Sequence, residues 1–241
     1  MARKHGYVRR RWWYAGGNVI LTYDKRQALW EWCRDYLDRE VFYRVDDTHP
    51  PIPGKAPGTT YHWQAYTRRA TYNPNFAHAV GLMFWDQFQP VFKDKPFQIC
   101  ACEPSGPPIG MTIAAVGRML GVKVNVFLAR REAKSFGFNN WFDGRVLPDV
   151  PVMIVDDTAG SAPFMRHAAA RIGHKLALPL HRNYFTILNK VGRGFDKKSQ
   201  HTENYLDGEL IALFTMNNFC KRVTEFEERY GHSPKWSGLV R

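Results

Sequence analysis

The stretch Val152-Met-Ile-Val-Asp-Asp-Thr-Ala-Gly-Ser-Ala-Pro163 decides the fold of this chain. Its first four residues, Val152 to Val155, form an apolar run that is too short for a helix and β-branched enough for a buried strand. Two carboxylates, Asp156 and Asp157, end the run, and small residues then lead to a helical pattern that begins at Pro163. The sequence therefore predicts a strand, an acidic pair, a small-residue loop and a helix N-terminus.

That order of elements predicts a site for a sugar phosphate. A loop of small residues before a helix gathers backbone N–H groups, hydroxyls and the positive end of the helix dipole, which together suit a phosphate. The predicted cradle comprises Thr158, Ala159, Gly160, Ser161 and Ala162. The carboxylates of Asp156 and Asp157 cannot bind the phosphate directly, but they can hold sugar hydroxyls or the hydration shell of Mg²⁺.

The composition is that of an ordinary globular protein, with 241 residues, 44% of them hydrophobic and 23% charged. No apolar run reaches membrane-spanning length, and the N-terminus has no apolar signal core, so we expect a cytoplasmic location. Cys100 and Cys102 share one face of a predicted strand and lack the spacing of a metal site. Reduced thiols in a core are the expectation.

The formal net charge of +12 favours polyanionic partners, either nucleic acid or a phosphate-rich small molecule. Much of this charge lies in residues 1–14, where basic residues precede Trp12, Trp13 and Tyr14. Such a mixture can grip phosphates and stack on bases. A solvated arm or a segment that contacts another subunit is the alternative interpretation of the same residues.

The chain divides into three segments by pattern. Residues 1–45 form a basic and aromatic extension with a helix over 23–39, and residues 46–95 combine an irregular stretch, an aromatic strand over 61–66 and a helix that opens at Asn73 or Asn75. Residues 96–241 alternate strands with helices, which predicts a parallel sheet within one compact domain. The predicted strands span 97–102, 122–128, 152–155, 176–180 and 209–215, and the predicted helices span 109–120, 163–172 and 217–230.

Successive predicted strands end in loops of unusual composition, and the carboxyl ends of parallel strands meet at one edge of a sheet. The first loop is Glu103-Pro-Ser-Gly-Pro-Pro108, in which Gly106 allows a ligand to come close to the backbone. The second, Arg130-Arg-Glu-Ala-Lys-Ser-Phe-Gly137, places three cations within five residues, which repel one another unless an anion joins them. The third is the acidic pair, and the fourth holds Arg182.

These motifs resemble those of a known family. The acidic pair and its small-residue turn resemble the phosphoribosyl pyrophosphate (PRPP) signature of type I phosphoribosyltransferases. The loop over 130–137 is similar to the catalytic loop of orotate phosphoribosyltransferases, whose pattern is Arg-Lys-Glu-x-Lys-x-His-Gly. The resemblance implies an α/β fold with a parallel sheet flanked by helices and an N-terminal hood.

The resemblance also implies roles for individual residues. The pyrophosphate would lie on Glu103, Pro104, Ser105, Gly106 and Arg130, in a loop that often carries a cis peptide, here near Pro104–Ser105. Arg131 and Lys134 would join Asp156 and Asp157 as catalytic residues, partly across a homodimer interface. The base would contact Arg182, which matches the residue that binds the orotate carboxylate, together with the hood residues Lys55, His62 and Trp63.

The activity that the resemblance implies is transfer of the 5-phosphoribosyl group from PRPP to orotate, with release of pyrophosphate, in pyrimidine nucleotide biosynthesis. Mg²⁺ would be held through PRPP and not by protein ligands of its own. Two alternatives stay open. The loosely matched hood and a phosphate loop about two residues short favour another acceptor base. The net charge, Ser105 in place of a lysine and Phe136 in place of a histidine favour a non-catalytic protein that binds nucleic acid through residues 1–14.

Overall fold

The computed structural model describes residues 21–44, 52–53, 60–61, 63–92, 96–133, 140–160, 162–190 and 206–219. Several predicted features lie outside these residues. They are the basic arm over 1–14, the hood residues Lys55 and His62, the loop residues Lys134 and Phe136, the cradle residue Ser161, and the final helix beyond residue 219.

The N-terminal part combines three α-helices with short antiparallel strands. Helix α1 (Tyr23–Tyr36) continues into a π-helical turn (Leu37–Val41), and four short strands follow: β1 (Phe42–Arg44), β2 (Ile52–Pro53), β3 (Thr60–Tyr61) and β4 (Trp63–Ala65). Strand β1 pairs with β4, and β2 pairs with β3. Helices α2 (Arg68–Thr71) and α3 (Pro74–Phe92) come next. The side chain of Asn73 accepts hydrogen bonds from the N–H groups of Asn75 and Phe76, which confirms the predicted helix start there.

The central sheet has six strands among the described residues: β5 (Gln98–Cys102), β6 (Asn125–Ala129), β7 (Phe142–Asp143), β8 (Val152–Ala159), β9 (Asn183–Asn189) and β10 (Glu209–Thr215). Their order is β10-β9-β8-β5-β6-β7, and every neighbouring pair is parallel except the antiparallel pair of β6 and β7. The predicted α/β architecture with a parallel sheet is confirmed.

Two longer helices follow strands β5 and β8. Helix α4 (Gly106–Met119) begins three residues before the predicted start, because Pro107 and Pro108 fit the first turn of a helix, where no backbone N–H is needed. Helix α5 (Pro163–Arg171) begins where the sequence predicted and continues into a π-helical turn (Ile172–Leu176). A 3₁₀ turn (Met216–Phe219) ends the described chain.

The predicted strand over 176–180 is wrong. Leu176 ends the π-helical turn, Ala177 adopts a left-handed backbone with φ of 50°, and only Leu180 forms an isolated bridge, to Val152. Pro179 lacks the N–H that a central strand needs. The strand that fills this place is β9, whose seven residues are all buried.

The core lies on both faces of the sheet. On one face, Trp85 of α3 packs against α4, and its indole N–H donates to the carbonyl of Ile113 at 2.7 Å. The other face packs under α5 and includes Cys100, Ile154 and Tyr184. Cys33, Cys100 and Cys102 are free and buried, so the expected reduced core thiols are confirmed for these three, and burial raises the pKa of each.

None of the helices within the described ranges combines the length and the apolar character needed to cross a membrane.

The contact between α3 and α4 predicts the effect of one added methyl group. A Cβ on Gly117 would lie 2.5 Å from a ring carbon of the buried Trp85. We expect Gly117→Ala to lower the free energy of unfolding by about 1–3 kcal/mol, measured by urea denaturation. The control is Gly173→Ala, where the residue is exposed and nothing lies within 4 Å of the added Cβ. Equal losses in the two variants would contradict the described packing.

Candidate active site at the carboxyl edge of the sheet

Strands β5, β6, β8 and β9 are parallel, so their carboxyl ends lie at one edge of the sheet. The residues that follow these ends are Glu103, Arg130, Gly160 and Lys190. Ligands of open parallel sheets bind at this edge. The structure therefore places the first residues of three of the four predicted loops at this edge, those after β5, β6 and β8.

Strand β8 extends farther than the sequence predicted and includes the acidic pair, Thr158 and Ala159. Thr158 and Ala159 pair in register with Leu188 and Asn189 of β9, and the N–H of Lys190 donates to the carbonyl of Ala159 at 2.6 Å. The predicted turn over 158–161 is therefore wrong in its first half, because the neighbouring strand continues the ladder. Only residues 160–162 connect β8 to α5, and Ala162 has a left-handed backbone with φ of 43°.

Asp157 is 8% exposed and accepts hydrogen bonds from two residues, Thr158 and Thr67. One carboxylate oxygen accepts from the backbone N–H of Thr158 at 2.8 Å, and the other accepts a short hydrogen bond from the hydroxyl of Thr67. Thr67 is itself buried and directly precedes α2. Thr67 could not be predicted from the sequence, because a single threonine between an aromatic strand and a basic turn carries no distinguishing pattern.

Asp156 lies in different surroundings. Consecutive strand residues point to opposite faces, so Asp156 shares its face with Thr186, its register partner on β9. The carboxyl keeps part of its surface exposed, but the protein crowds it on most sides. Burial raises the pKa of Asp156 well above its usual range, and the neighbouring Asp157 carboxylate raises it further. Asp156 therefore holds a proton more readily than an ordinary aspartate does.

The loop after β5 comes very close to β8. The peptide bond between Glu103 and Pro104 is cis, one residue before the position that the resemblance suggested. Ser105 is buried, and a Cβ on Gly106 would lie 2.7 Å from the carbonyl oxygen of Val155. Only glycine allows this approach, which brings the loop beside the residue that precedes Asp156.

The two described arginines of the second loop have different contacts. Arg130 forms an ion pair with Asp143 of β7, so its guanidinium is engaged within the protein. The Nε of Arg131 donates to the carbonyl of Glu103 at 3.4 Å, and its guanidinium lies 5.7 Å from the ring centroid of Phe164 in the first turn of α5. Arg131 therefore spans the gap between the loop after β5 and the start of α5.

The structure does not bring Arg182 to this site. Arg182 precedes β9 and so lies at the amino edge of the sheet, where its Nε donates to the side chain of Asn183 at 3.1 Å. It is four residues from Thr186, roughly 13 Å along a strand. The predicted contact with the acceptor depended on a strand over 176–180, which the structure does not contain. Trp63 lies in β4, in the predicted hood.

The site can be compared with known proteins. No model of a protein family matches the sequence, and no curated protein matches it. Solved structures do match. Orotate phosphoribosyltransferase of Mycobacterium tuberculosis H37Rv, crystallised with PRPP, is 12% identical with a TM-score of 0.54, and the match covers 87% of this chain and 99% of that one. A phosphoribosyltransferase of Corynebacterium diphtheriae is 11% identical with a TM-score of 0.61, and the match covers 80% and 99%.

A third match, adenine phosphoribosyltransferase of Saccharomyces cerevisiae, is 17% identical with a TM-score of 0.51 and covers 76% of this chain and 99% of that one. These structures share an architecture across most of the chain although few residues are identical. The protein has the fold of the type I phosphoribosyltransferases, as the sequence resemblance predicted.

The contact of Thr67 with Asp157 predicts a stability difference between two substitutions. Thr67→Val keeps the shape of the side chain but leaves a buried carboxylate without one donor, and we expect it to lower the free energy of unfolding by about 1–3 kcal/mol. Thr67→Ser retains the hydroxyl and should lose clearly less. Urea denaturation at pH 7 distinguishes them, and equal losses would show that the hydrogen bond is unimportant.

The raised pKa of Asp156 predicts a pH dependence. The folded chain holds the Asp156 proton more tightly than the unfolded chain does, so ionisation above about pH 4 disfavours the folded state. Asp156→Asn removes this cost, because the amide does not ionise. We expect the stability of the variant relative to the natural protein to increase as pH rises from about 4 to 8, measured by urea denaturation at intervals between them. A difference that does not vary with pH would contradict the described burial.

Proposed function

We propose that this protein is a phosphoribosyltransferase that transfers the 5-phosphoribosyl group of PRPP to a nitrogen of orotate. The observation that carries the proposal is the position of Arg131. It joins the loop after β5 to the start of α5, and the acid pair lies on the strand between these two elements. The fold supports the reaction class, and the sequence of the loop over 130–137 supports orotate.

The reaction needs positioning and charge more than covalent chemistry from the protein. The bond between C1 and the pyrophosphate oxygen breaks, and pyrophosphate leaves with the electron pair. The acceptor nitrogen bonds to C1 and loses its proton to water. Negative charge grows on the leaving group, and Arg131 beside Glu103–Gly106 would stabilise it. Asp156 and Asp157 would hold the ribose hydroxyls. The positive charge that develops on the ring would favour the ionised form of Asp156, and the carboxylates would in turn stabilise that charge.

The 5-phosphate would lie where β8 meets α5. The N–H groups of the first turn of α5 have no partners within the helix, and the helix dipole adds positive character there. Gly160 and Ala162 bound the connection, and Thr158 and Ala159 would contribute from the end of the strand. This arrangement differs from the predicted loop of five residues, but it keeps the same residues beside the same helix.

A divalent cation fits this arrangement through the substrate. Among the described residues no group of three or more histidine, cysteine, aspartate or glutamate side chains could hold a metal ion. Mg²⁺ commonly binds substrate phosphates, keeps several waters and uses only one or two carboxylates. Asp156 and Asp157 are the residues that would contact such a hydrated ion. Bound there, Mg²⁺ would neutralise charge on the pyrophosphate.

The acceptor, the setting and the partners are parts of the same proposal. Adenine and orotate phosphoribosyltransferases share this fold, so the fold itself does not select the base. Orotate would place the reaction in pyrimidine nucleotide biosynthesis in the cytoplasm, and the resemblance suggests a homodimer with shared sites. Binding of nucleic acid through residues 1–14 is the second candidate, favoured by the net charge of +12.

The proposal predicts which substitutions remove turnover. Pyrophosphate release would be measured with PRPP, Mg²⁺ and either orotate or adenine. We expect activity with orotate, and a loss of about 10²- to 10³-fold in kcat/KM for Arg131→Gln, because a donor to the leaving group is removed. Asp157→Asn combined with Lys134→Ala should abolish turnover. The control is Arg118→Gln, which changes an exposed arginine on α4.

Three outcomes would contradict parts of the proposal. Undiminished turnover in the Asp157→Asn, Lys134→Ala variant would refute the catalytic assignment. Turnover with adenine but not with orotate would keep the reaction class and replace the acceptor. Salt-dependent binding of RNA or DNA that requires residues 1–14, together with no turnover on any base, would favour the second candidate.

A further inference from the structure

Arg130, the first residue after β6, is hydrogen-bonded to Trp141, the residue before β7. The N–H of Arg130 donates to the carbonyl of Trp141 at 2.9 Å. The side chain of Arg130 adds an ion pair to Asp143, two residues after Trp141. Arg131 directly follows this contact between Arg130 and Trp141. The position of Arg131 therefore depends on how firmly that contact is held.

Arg171, the last residue of α5, contacts both Arg130 and Trp141. Its Nη1 donates to the carbonyl of Arg130 at 3.0 Å, and its guanidinium carbon lies 3.6 Å from the centroid of the Trp141 ring. The Nζ of Lys175 lies 5.6 Å from the same ring. A planar guanidinium can stack on an indole while its edge donates a hydrogen bond, whereas an ammonium cannot do both in this geometry.

The same helix also contacts Arg131 at its other end. Phe164, in the first turn of α5, carries the ring that lies 5.7 Å from the Arg131 guanidinium. Helix α5 thus supports Arg131 from its first turn through Phe164 and from its last residue through Arg171. A helix that contacts both the neighbouring residue Arg130 and the side chain of Arg131 restricts where the Arg131 guanidinium can lie.

We infer that Arg171 is a positioning residue for Arg131, acting through the Arg130 carbonyl and the Trp141 ring. Arg130, Trp141 and Arg171 contact one another and together form a cluster that we call the clasp. The contacts of the clasp are independent of any ligand. Its effect on catalysis rests on the proposed function, in which Arg131 stabilises pyrophosphate as it leaves. Arg171 itself is not placed on the substrate.

The clasp can be tested without ligand. Hydrogen exchange would be followed in the natural protein, in Arg171→Gln and in the control Arg118→Gln. Removing the guanidinium removes its contacts with the Arg130 carbonyl and the Trp141 ring. We therefore expect peptides over 128–133 and 140–143 to exchange about tenfold faster in Arg171→Gln, with other regions unchanged. The control should match the natural protein. Unchanged exchange over both segments would overturn the clasp whatever the enzyme does.

The effect on Arg131 can be tested by a double-mutant cycle. We expect Arg171→Gln to lower kcat/KM for PRPP about tenfold in the natural background and less than twofold when Arg131 is already glutamine, because the two residues act through one contact. Trp141→Phe should retain most activity, since it keeps a ring for stacking, whereas Trp141→Ala should behave like Arg171→Gln.

Independent effects would overturn the inference. If Arg171→Gln lowers kcat/KM equally in both backgrounds, Arg171 does not act through Arg131. Failure of the proposed function is distinguishable, because a natural protein with no turnover on any base refutes the activity while hydrogen exchange still decides the clasp. Circular dichroism and urea denaturation of each variant would show that the fold is intact.

Discussion

The backbone ladder between β8 and β9 is the constraint on which the candidate site depends. It runs past the acid pair as far as Ala159 and Asn189, so the two carboxylates belong to a strand and not to a loop. A strand turns consecutive side chains to opposite faces. Asp157 is consequently held by Thr67 from the N-terminal part, while Asp156 lies beside Thr186 in a crowded environment that raises its pKa. The ladder also leaves only three residues between strand and helix.

Much of the sheet could be predicted because its strands are short apolar runs that end in polar loops. β5 and β8 are of this kind, and Asn73 marked the start of α3 because a side-chain oxygen satisfies free N–H groups at a helix start. The length of a strand was harder to predict than its existence. Whether Thr158 belongs to a strand depends on the partner that pairs with it, and the partner strand lies more than twenty residues away in sequence.

The misplacement of Arg182 has a similar cause. Two apolar runs follow α5, one containing Pro179 and one over 184–188, and periodicity alone favours neither. Pro179 argues against a strand in the first run, whereas its leucines argue for one. Choosing the wrong run moved the arginine from one edge of the sheet to the other. Thr67 was missed for another reason: its importance comes entirely from a tertiary contact with Asp157 across 90 positions of the sequence.

The left-handed backbone at Ala162 has a consequence for how a phosphate would be bound. An alanine in this conformation is less stable than a glycine would be, by roughly 1 kcal/mol. This cost belongs to the folding of the chain and not to the binding of a ligand. Pro163 follows Ala162 directly, and its ring fixes its own φ and restricts the backbone of the residue before it, so few other conformations are open at the start of α5. An arriving anion would therefore lose little free energy in ordering the backbone. Affinity at this point of the site would be limited by desolvation and charge, and hardly by conformational entropy.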